Sequence, residues 1–165
     1  MVPSVTSTQG SGDPQTPAGG RPVRIVVAED HRVVRRGLQL ILDGEPDLSV
    51  VAQGGTVTEA RALVREHSPQ VLVLDLSMPG GSSLEAIPAL RTEAPDTQIV
   101  VLTMEDDPSL VRAARRAGAL GYVLKEAADS DLVDAVRRAA IGETYLNRKL
   151  AARLIAQHTT AQGWD

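Results

Sequence analysis

VLVLDLSMPGGSSLEAIPAL, residues 71–90, decides the fold. It opens with a nearly continuous apolar run, VLVLDL (71–76), ending in an acid. An unalternating run of that length is the mark of a parallel strand buried on both faces. After a short loop, Ser82-x-x-Glu85 forms a capping box, and Leu84, Ile87 and Leu90 follow at helical spacing. The same succession recurs on either side. Further strands are read at VRIVVA (23–28), LSVVAQ (48–53), QIVVLT (98–103) and GYVLK (121–125). Helices are read between them. His31–Leu42 puts Val34, Leu38 and Leu42 on one stripe, and Thr56-x-x-Glu59 caps a segment with Ala60, Leu63 and Val64 inward. Asp107-Pro108 starts a fourth helix as N-cap and first residue. Ser130 is the expected cap of a fifth, whose apolar side is Leu132, Val133, Val136 and Ala140. Strands alternating with helices and starting roughly every 25 residues predict an α/β fold, a parallel sheet with helices on both faces.

The rest of the 165 residues bounds the reading. Residues 1–22 are rich in Ser, Thr, Gly, Pro and Gln and are expected to be a disordered leader, so one domain spans 23–142. Residues 143–165 are expected to hold a linker-like helix, Arg148–Gln157, capped by Asn147, with a frayed end at 158–165. No run of 18 apolar residues and no secretory leader is present, so no membrane partner is expected and a cytoplasmic location is the default. The absence of cysteine excludes a disulfide scaffold, an iron–sulfur cluster and a thiol nucleophile. A net charge of -4 and only three aromatics, Tyr122, Tyr145 and Trp164, disfavour a nucleic-acid surface.

In such a sheet all strands end on one side, where ligands bind. There the sequence places Glu29-Asp30 after the first strand, Asp75 at the third, Thr103 at the fourth and Lys125 at the fifth. Each alone has an ordinary structural explanation, as a loop start, a helix-end charge, a bonded hydroxyl or a solvated lysine. Together they form a pattern. Three carboxylates at one edge repel one another unless a cation intervenes, and oxygen-only ligands favour a hard one such as Mg²⁺. The histidines, His31, His67 and His158, share no ligand spacing.

On VVAEDHRVVRRGL, VLVLDLSMPGG, IVVLTMEDD and AGALGYVLKE, the chain resembles the receiver domain of bacterial two-component response regulators, nearest the LuxR/NarL type. The resemblance covers about residues 24–142. It implies a flavodoxin-like, doubly wound five-stranded sheet of order 2-1-3-4-5, followed here by a short C-terminal helix. It implies Asp75 as phospho-acceptor, with Mg²⁺ held by Glu29, Asp30, Asp75 and the Ser77 carbonyl. Thr103 and Lys125 would contact the phosphoryl group, and Tyr122 would be the aromatic switch, entering space that Thr103 vacates. The partner implied is a sensor histidine kinase, and the readout is control of transcription. The chain would be a stoichiometric acceptor with slow autodephosphorylation, not a turnover enzyme. Arg112, Arg115 and Arg116 offer a basic partner face, and a homodimer through Arg32, Arg35, Arg36, Arg137 and Arg138 is left open.

Two departures from the common pattern stand out. Met104 follows Thr103, where its bulk would narrow access to Asp75, and Glu126 replaces a frequent proline. Ser77 and Glu105, flanking the site, would tune the phosphoryl lifetime. Regulators of this type continue into a helix-turn-helix domain, for which residues 144–165 are too few. The chain alone is therefore not expected to bind DNA, and it reads either as a single-domain receiver or as a regulator cut at its linker. A phosphorylation-independent dimerisation module keeps the fold without the chemistry. A phosphatase with an aspartate nucleophile lacks its second acid, since Leu76 and Ser77 follow Asp75. A nucleotide-binding domain lacks its glycine-rich cradle in AEDHRVVRRG (28–37).

Overall fold

The computed structural model describes residues 20–162, with side chains through residue 157. The elements run β1 (Val23–Ala28), α1 (Arg32–Asp43), β2 (Leu48–Gly54), α2 (Val57–His67), β3 (Val71–Asp75), α3 (Ser83–Glu93) and β4 (Gln98–Thr103). They continue α4 (Pro108–Ala117), β5 (Gly121–Leu124), a 3-10 turn (Lys125–Ala127), α5 (Ala128–Ala140), β6 (Tyr145–Leu146) and α6 (Arg148–Gln162). The sheet order is β2-β1-β3-β4-β5-β6, and every pairing is parallel. The flavodoxin-like order of the first five strands is the expected one; β6 is an addition at the β5 edge. Two residues are too short to leave a periodicity in the sequence.

The continuous apolar runs arise because alternate residues serve opposite layers. Val26, Leu72, Leu74, Ile99 and Val101 face the side packed by α2, α3 and α4. Ile25, Val27, Val71, Val73, Val100 and Leu102 face the side covered by Leu38 and Leu42 of α1 and Leu132 and Val136 of α5. Burying each such side chain stabilises the fold by about 1.5–3 kcal/mol before entropy is counted.

The expected caps form at α2, α3, α4 and α6. Thr56 Oγ1 accepts from the Glu59 N–H (3.0 Å), Ser82 Oγ from Glu85 (3.2 Å) and Asp107 Oδ1 from Ser109 (2.9 Å). The Glu59 carboxylate reaches one residue further back than a capping box requires, to the Gly55 N–H at 2.7 Å. Ser130 does not cap α5. The 3-10 turn runs straight into the helix from Lys125, so Ser130 lies inside the first turn and its hydroxyl donates to the Ala127 carbonyl at 3.1 Å. The same turn ends β5 at Leu124, one residue earlier than expected. Asn147 does cap α6, its Oδ1 accepting from the Leu150 N–H at 2.9 Å. The helix runs to Gln162 rather than stopping at Gln157. The expected leader lies outside the described residues through position 19, as do residues 163–165 of the tail. Among the described residues no helix is long and apolar enough to cross a membrane.

Arg137 of α5 binds the turn before β2. Its Nε and Nη2 donate to Asp47 Oδ2 and Oδ1, both at 2.8 Å, and Nη2 donates to Glu45 Oε1 at 2.7 Å. Arg137 is thus spent within the chain, and so is Arg35, whose Nη1 donates to the Glu29 carbonyl at 2.8 Å. Of the arginines read as a dimer surface, Arg32, Arg36 and Arg138 are exposed. The Arg137 hydrogen bonds hold the buried Asp47 carboxyl below its usual range. Replacing Arg137 by methionine is expected to cost about 2 kcal/mol in denaturant unfolding at neutral pH. Because the folded-state value of Asp47 is depressed, its contribution is complete above the unfolded carboxylate range and is lost as pH falls. The difference between the two proteins is therefore expected to shrink below about pH 4.

Candidate functional site

The carboxyl ends of β1, β3 and β4 and the turn after β5 meet at one edge of the sheet, and the site follows from that convergence. Asp75 is the last residue of the central strand β3 and is fully buried. Its Oδ1 accepts the Ser77 N–H at 2.9 Å, which orients the carboxylate from the loop side. Its Oδ2 lies 3.1 Å from Lys125 Nζ. Glu29 follows β1, its N–H donating to the Gly54 carbonyl at 2.9 Å, and its side chain is also fully buried. Glu29 Oε2 is 2.9 Å from the same Lys125 Nζ, and Oε1 accepts the His31 N–H at 3.1 Å. One ammonium, 12% exposed, therefore bridges two carboxylates from different strands.

The loop beyond Asp75 is turned by glycine. Gly80 has φ +93°, and a Cβ there would lie 3.3 Å from Thr56 Cβ and 3.4 Å from the Val57 nitrogen. A side chain at this position would be strained and would press on the start of α2.

Electrostatics sharpen the picture. Burial pushes the Asp75 carboxyl up, against the hydrogen bonds from Ser77 and Lys125, and the neighbouring Glu29 charge adds to the rise. Burial disfavours the Lys125 ammonium, but hydrogen bonds to Glu29 and Asp75 outweigh it and raise its value. Asp30 sits at the rim, its side chain 27% exposed. Burial would raise its value, yet its backbone hydrogen bond and the His31 charge bring it down. Asp30 Oδ1 is buried and has no hydrogen-bond partner, and His31 Nδ1 lies 3.4 Å from it.

Thr103 and Tyr122 lie beside this pocket, joined through one residue. Thr103, the last residue of β4, is 1% exposed, and its Oγ1 accepts the Glu105 N–H at 3.1 Å. Tyr122, on β5, is 2% exposed and donates its hydroxyl to the Glu105 carbonyl at 2.9 Å. Burial, with the acids at 105–107 nearby, pushes its phenol well above the ordinary range. The ring lies in the interior, in the core cluster that also holds Val101 and Val111. A cleft of about 240 Å³ opens here, with Ser77, Ser82, Thr103 and Glu105 on its walls. Met104 is 70% exposed and is not among the residues lining that cleft.

The expected site residues thus lie at or just after strand ends at this edge, except Tyr122, which lies within β5 opposite Val101. Glu29, Asp75 and Lys125 form the buried centre, while Asp30 is half-buried and Ser77, Met104 and Glu105 are exposed. Sequence reasoning passed over His31. Ligand atoms of Glu29, Asp30 and His31 all lie within 4.8 Å of one another, and the only signal available was adjacency to the acid pair. The chemistry open to this arrangement is reaction of a buried, oriented carboxylate with an anionic electrophile whose charge a lysine can offset.

Known proteins resemble this chain over most of its length. The response regulator receiver domain family matches residues 25–137. The oxygen regulatory protein NreC of Staphylococcus epidermidis is 45% identical over 144 residues, which are 87% of this chain and 66% of that protein. The chain therefore spans just under two thirds of that relative's length. A two-component response regulator of the LuxR family from Aurantimonas sp. superposes with a TM-score of 0.80 at 30% identity, over 84% of this chain and 99% of that one. The signal receiver domain of the response regulator NarL from Mycobacterium tuberculosis gives 0.71 at 31% identity, over 74% and 99%.

Proposed function

Since this chain belongs to the response regulator receiver domain family, as a receiver of the LuxR/NarL type, we propose that Asp75 accepts a phosphoryl group from a sensor histidine kinase or a small acyl phosphate. The observation that carries this reading is the wholly buried Asp75 carboxylate, held between the Ser77 N–H and Lys125 Nζ. A carboxylate is ionised near neutrality and needs no general base. What it needs is relief from repulsion by an incoming dianion, and Lys125 supplies part of that. One Asp75 oxygen attacks phosphorus, and the bond to the departing imidazole or acyl oxygen breaks.

An all-oxygen donor set and the orphaned Asp30 Oδ1 fit a hard divalent cation. Glu29, Asp30, Asp75 and the Ser77 carbonyl would hold Mg²⁺. When bound, it would neutralise charge on the transferred group. Thr103 donates its hydroxyl to a phosphoryl oxygen in this reading, and Tyr122 is the aromatic switch that takes up space Thr103 vacates. The chain acts once per phosphoryl group and hydrolyses its own acyl phosphate slowly. Its setting is the cytoplasm and its output the control of transcription. A second copy is a further partner, with Arg32 and Arg36 on its exposed surface. No DNA contact is assigned to these residues.

Intact mass after incubation with acetyl phosphate and Mg²⁺ tests the reading. One phosphoryl adduct, abolished by EDTA, is expected. The absence of both an adduct and beryllofluoride binding would leave a phosphorylation-independent module instead. In the same assay Met104→Ala is expected to label faster, and exchanges at Ser77 or Glu105 to change the decay of the adduct. Unchanged rates would remove these three side chains from the tuning of the site.

A further inference from the structure

The C-terminal segment does not trail away from the domain; it folds back over one face. β6 extends the sheet beside β5, with Tyr145 opposite Gly121 and Leu146 opposite Tyr122, and the Tyr145 N–H donates to the Leu120 carbonyl at 3.0 Å. α6 then packs on α4. Leu150 is 1% exposed and shares a core cluster with Val111, Ala114 and Tyr122, and Leu146 and Leu154 pack against that cluster. Arg112 of α4, read from sequence as part of a partner surface, donates to Gln157 Oε1. Arg153 Nη1 donates to Asp106 Oδ2 at 2.5 Å and reaches the Asp106 carbonyl at 3.5 Å.

Asp106 is where this clasp meets the functional site. It follows Glu105, whose N–H is tied to Thr103 Oγ1 and whose carbonyl is tied to Tyr122 Oη. A displacement of Thr103 toward Asp75 therefore moves the backbone that carries the Arg153 partner. The joint between α4, β5 and β6 also borders a small pocket of about 30 Å³, lined in part by Val111, Ala114, Tyr122, Tyr145 and Leu146.

We propose that α6 is an intramolecular latch on α4, closed by Arg153 on Asp106 and opened when a tetrahedral anion occupies the Asp75 pocket. The proposal rests on Asp75 being the acceptor. Anion binding draws Thr103 inward, Glu105 follows, and Asp106 withdraws from Arg153. α6 then loosens, and Arg112 and the α4 face beneath it become available to a partner. Coupling of this kind is reciprocal: whatever opens the latch must tighten anion binding by the same factor.

The experiment uses the full chain with Mg²⁺ and beryllofluoride as the anion. Titrations are run on the natural protein, Arg153→Ala and Arg153→Lys, and amide hydrogen exchange is followed over 148–157. Arg153 is half-exposed, so its replacement leaves the core intact. Arg153→Ala is expected to bind beryllofluoride about two- to fivefold more tightly, the range for an exposed ion pair, with the lysine variant near the natural protein. Saturation is expected to speed exchange in α6 of the natural protein. Binding of equal affinity to natural protein and Arg153→Ala, with exchange in α6 unchanged, overturns the latch and leaves the acceptor reading standing. Failure of beryllofluoride to bind any of the three overturns the acceptor reading, and the latch falls with it.

Discussion

Asp75→Asn is expected to take up no phosphoryl group and, in metal-free buffer, to melt at a higher temperature than the natural protein. The amide is close in shape to the carboxylate, so the Ser77 N–H keeps an acceptor and the fold is kept. Its nitrogen lone pair is delocalised, and no oxygen remains with the charge needed to attack phosphorus. The gain in stability has a different origin. Glu29, Asp30 and Asp75 place three carboxylates around one ammonium, Lys125, and Asp75 and Glu29 are fully buried. Burial already pushes the Asp75 carboxyl upward, so its ionised form is disfavoured in the folded state. Removing that charge relieves repulsion while Lys125 keeps Glu29 at 2.9 Å. Intact mass and thermal melting in EDTA, run on the same two proteins, read both effects. An adduct on the variant would move the acceptor elsewhere. A lower melting temperature would mean that Asp75 contributes more by pairing with Lys125 than it costs by burial.

Lys125→Met carries the largest expected loss of stability. The methionine fills a similar volume, but two buried carboxylates are left facing each other without their shared cation. Breaking a buried pair by removing one partner costs about 3–5 kcal/mol, because the remaining charge stays desolvated. Denaturant unfolding in EDTA is expected to show a loss of that order. Two further results distinguish this cause from simple repacking. The loss is expected to be smaller in an Asp75→Asn background, since residues sharing a partner are not additive. Millimolar Mg²⁺ is expected to restore more stability to Lys125→Met than to the natural protein, because without the Lys125 ammonium on Glu29 and Asp75 the cation binds the folded state more tightly. Equal losses in both backgrounds would show that the methylene stem of Lys125, not its charge, holds the site together.

The basic stripe on α4 shows where sequence reasoning stopped. Arg112, Arg115 and Arg116 were readable as one surface from their spacing alone. Nothing in that spacing shows that Gln157, 45 residues away, takes up Arg112. Arg137 repeats the lesson. Its charge suggested a surface for a second copy, while its partners, Glu45 and Asp47, lie some 90 positions earlier in the same chain. Charges are visible in a sequence, but their partners are set by which loops the sheet order brings together.

Helix caps divide the same way. Thr56, Ser82, Asp107 and Asn147 bond to amides two or three residues on, so a local pattern suffices to find them. Ser130 has the right residue type, but the way β5 leaves the sheet decides that the 3-10 turn takes its place.

By itself, the sequence determined the alternation of strands and helices, the apolar layers and the edge at which Glu29, Asp30, Asp75, Thr103 and Lys125 gather. These follow from short-range periodicity and from the rule that parallel strands end on one side. Only the tertiary structure decided that Lys125 is shared between Glu29 and Asp75, that Glu105 ties Thr103 to Tyr122, and that β6 and α6 close over α4. Each of those depends on distances between residues far apart in the chain, and such distances come into being only when the sheet has assembled.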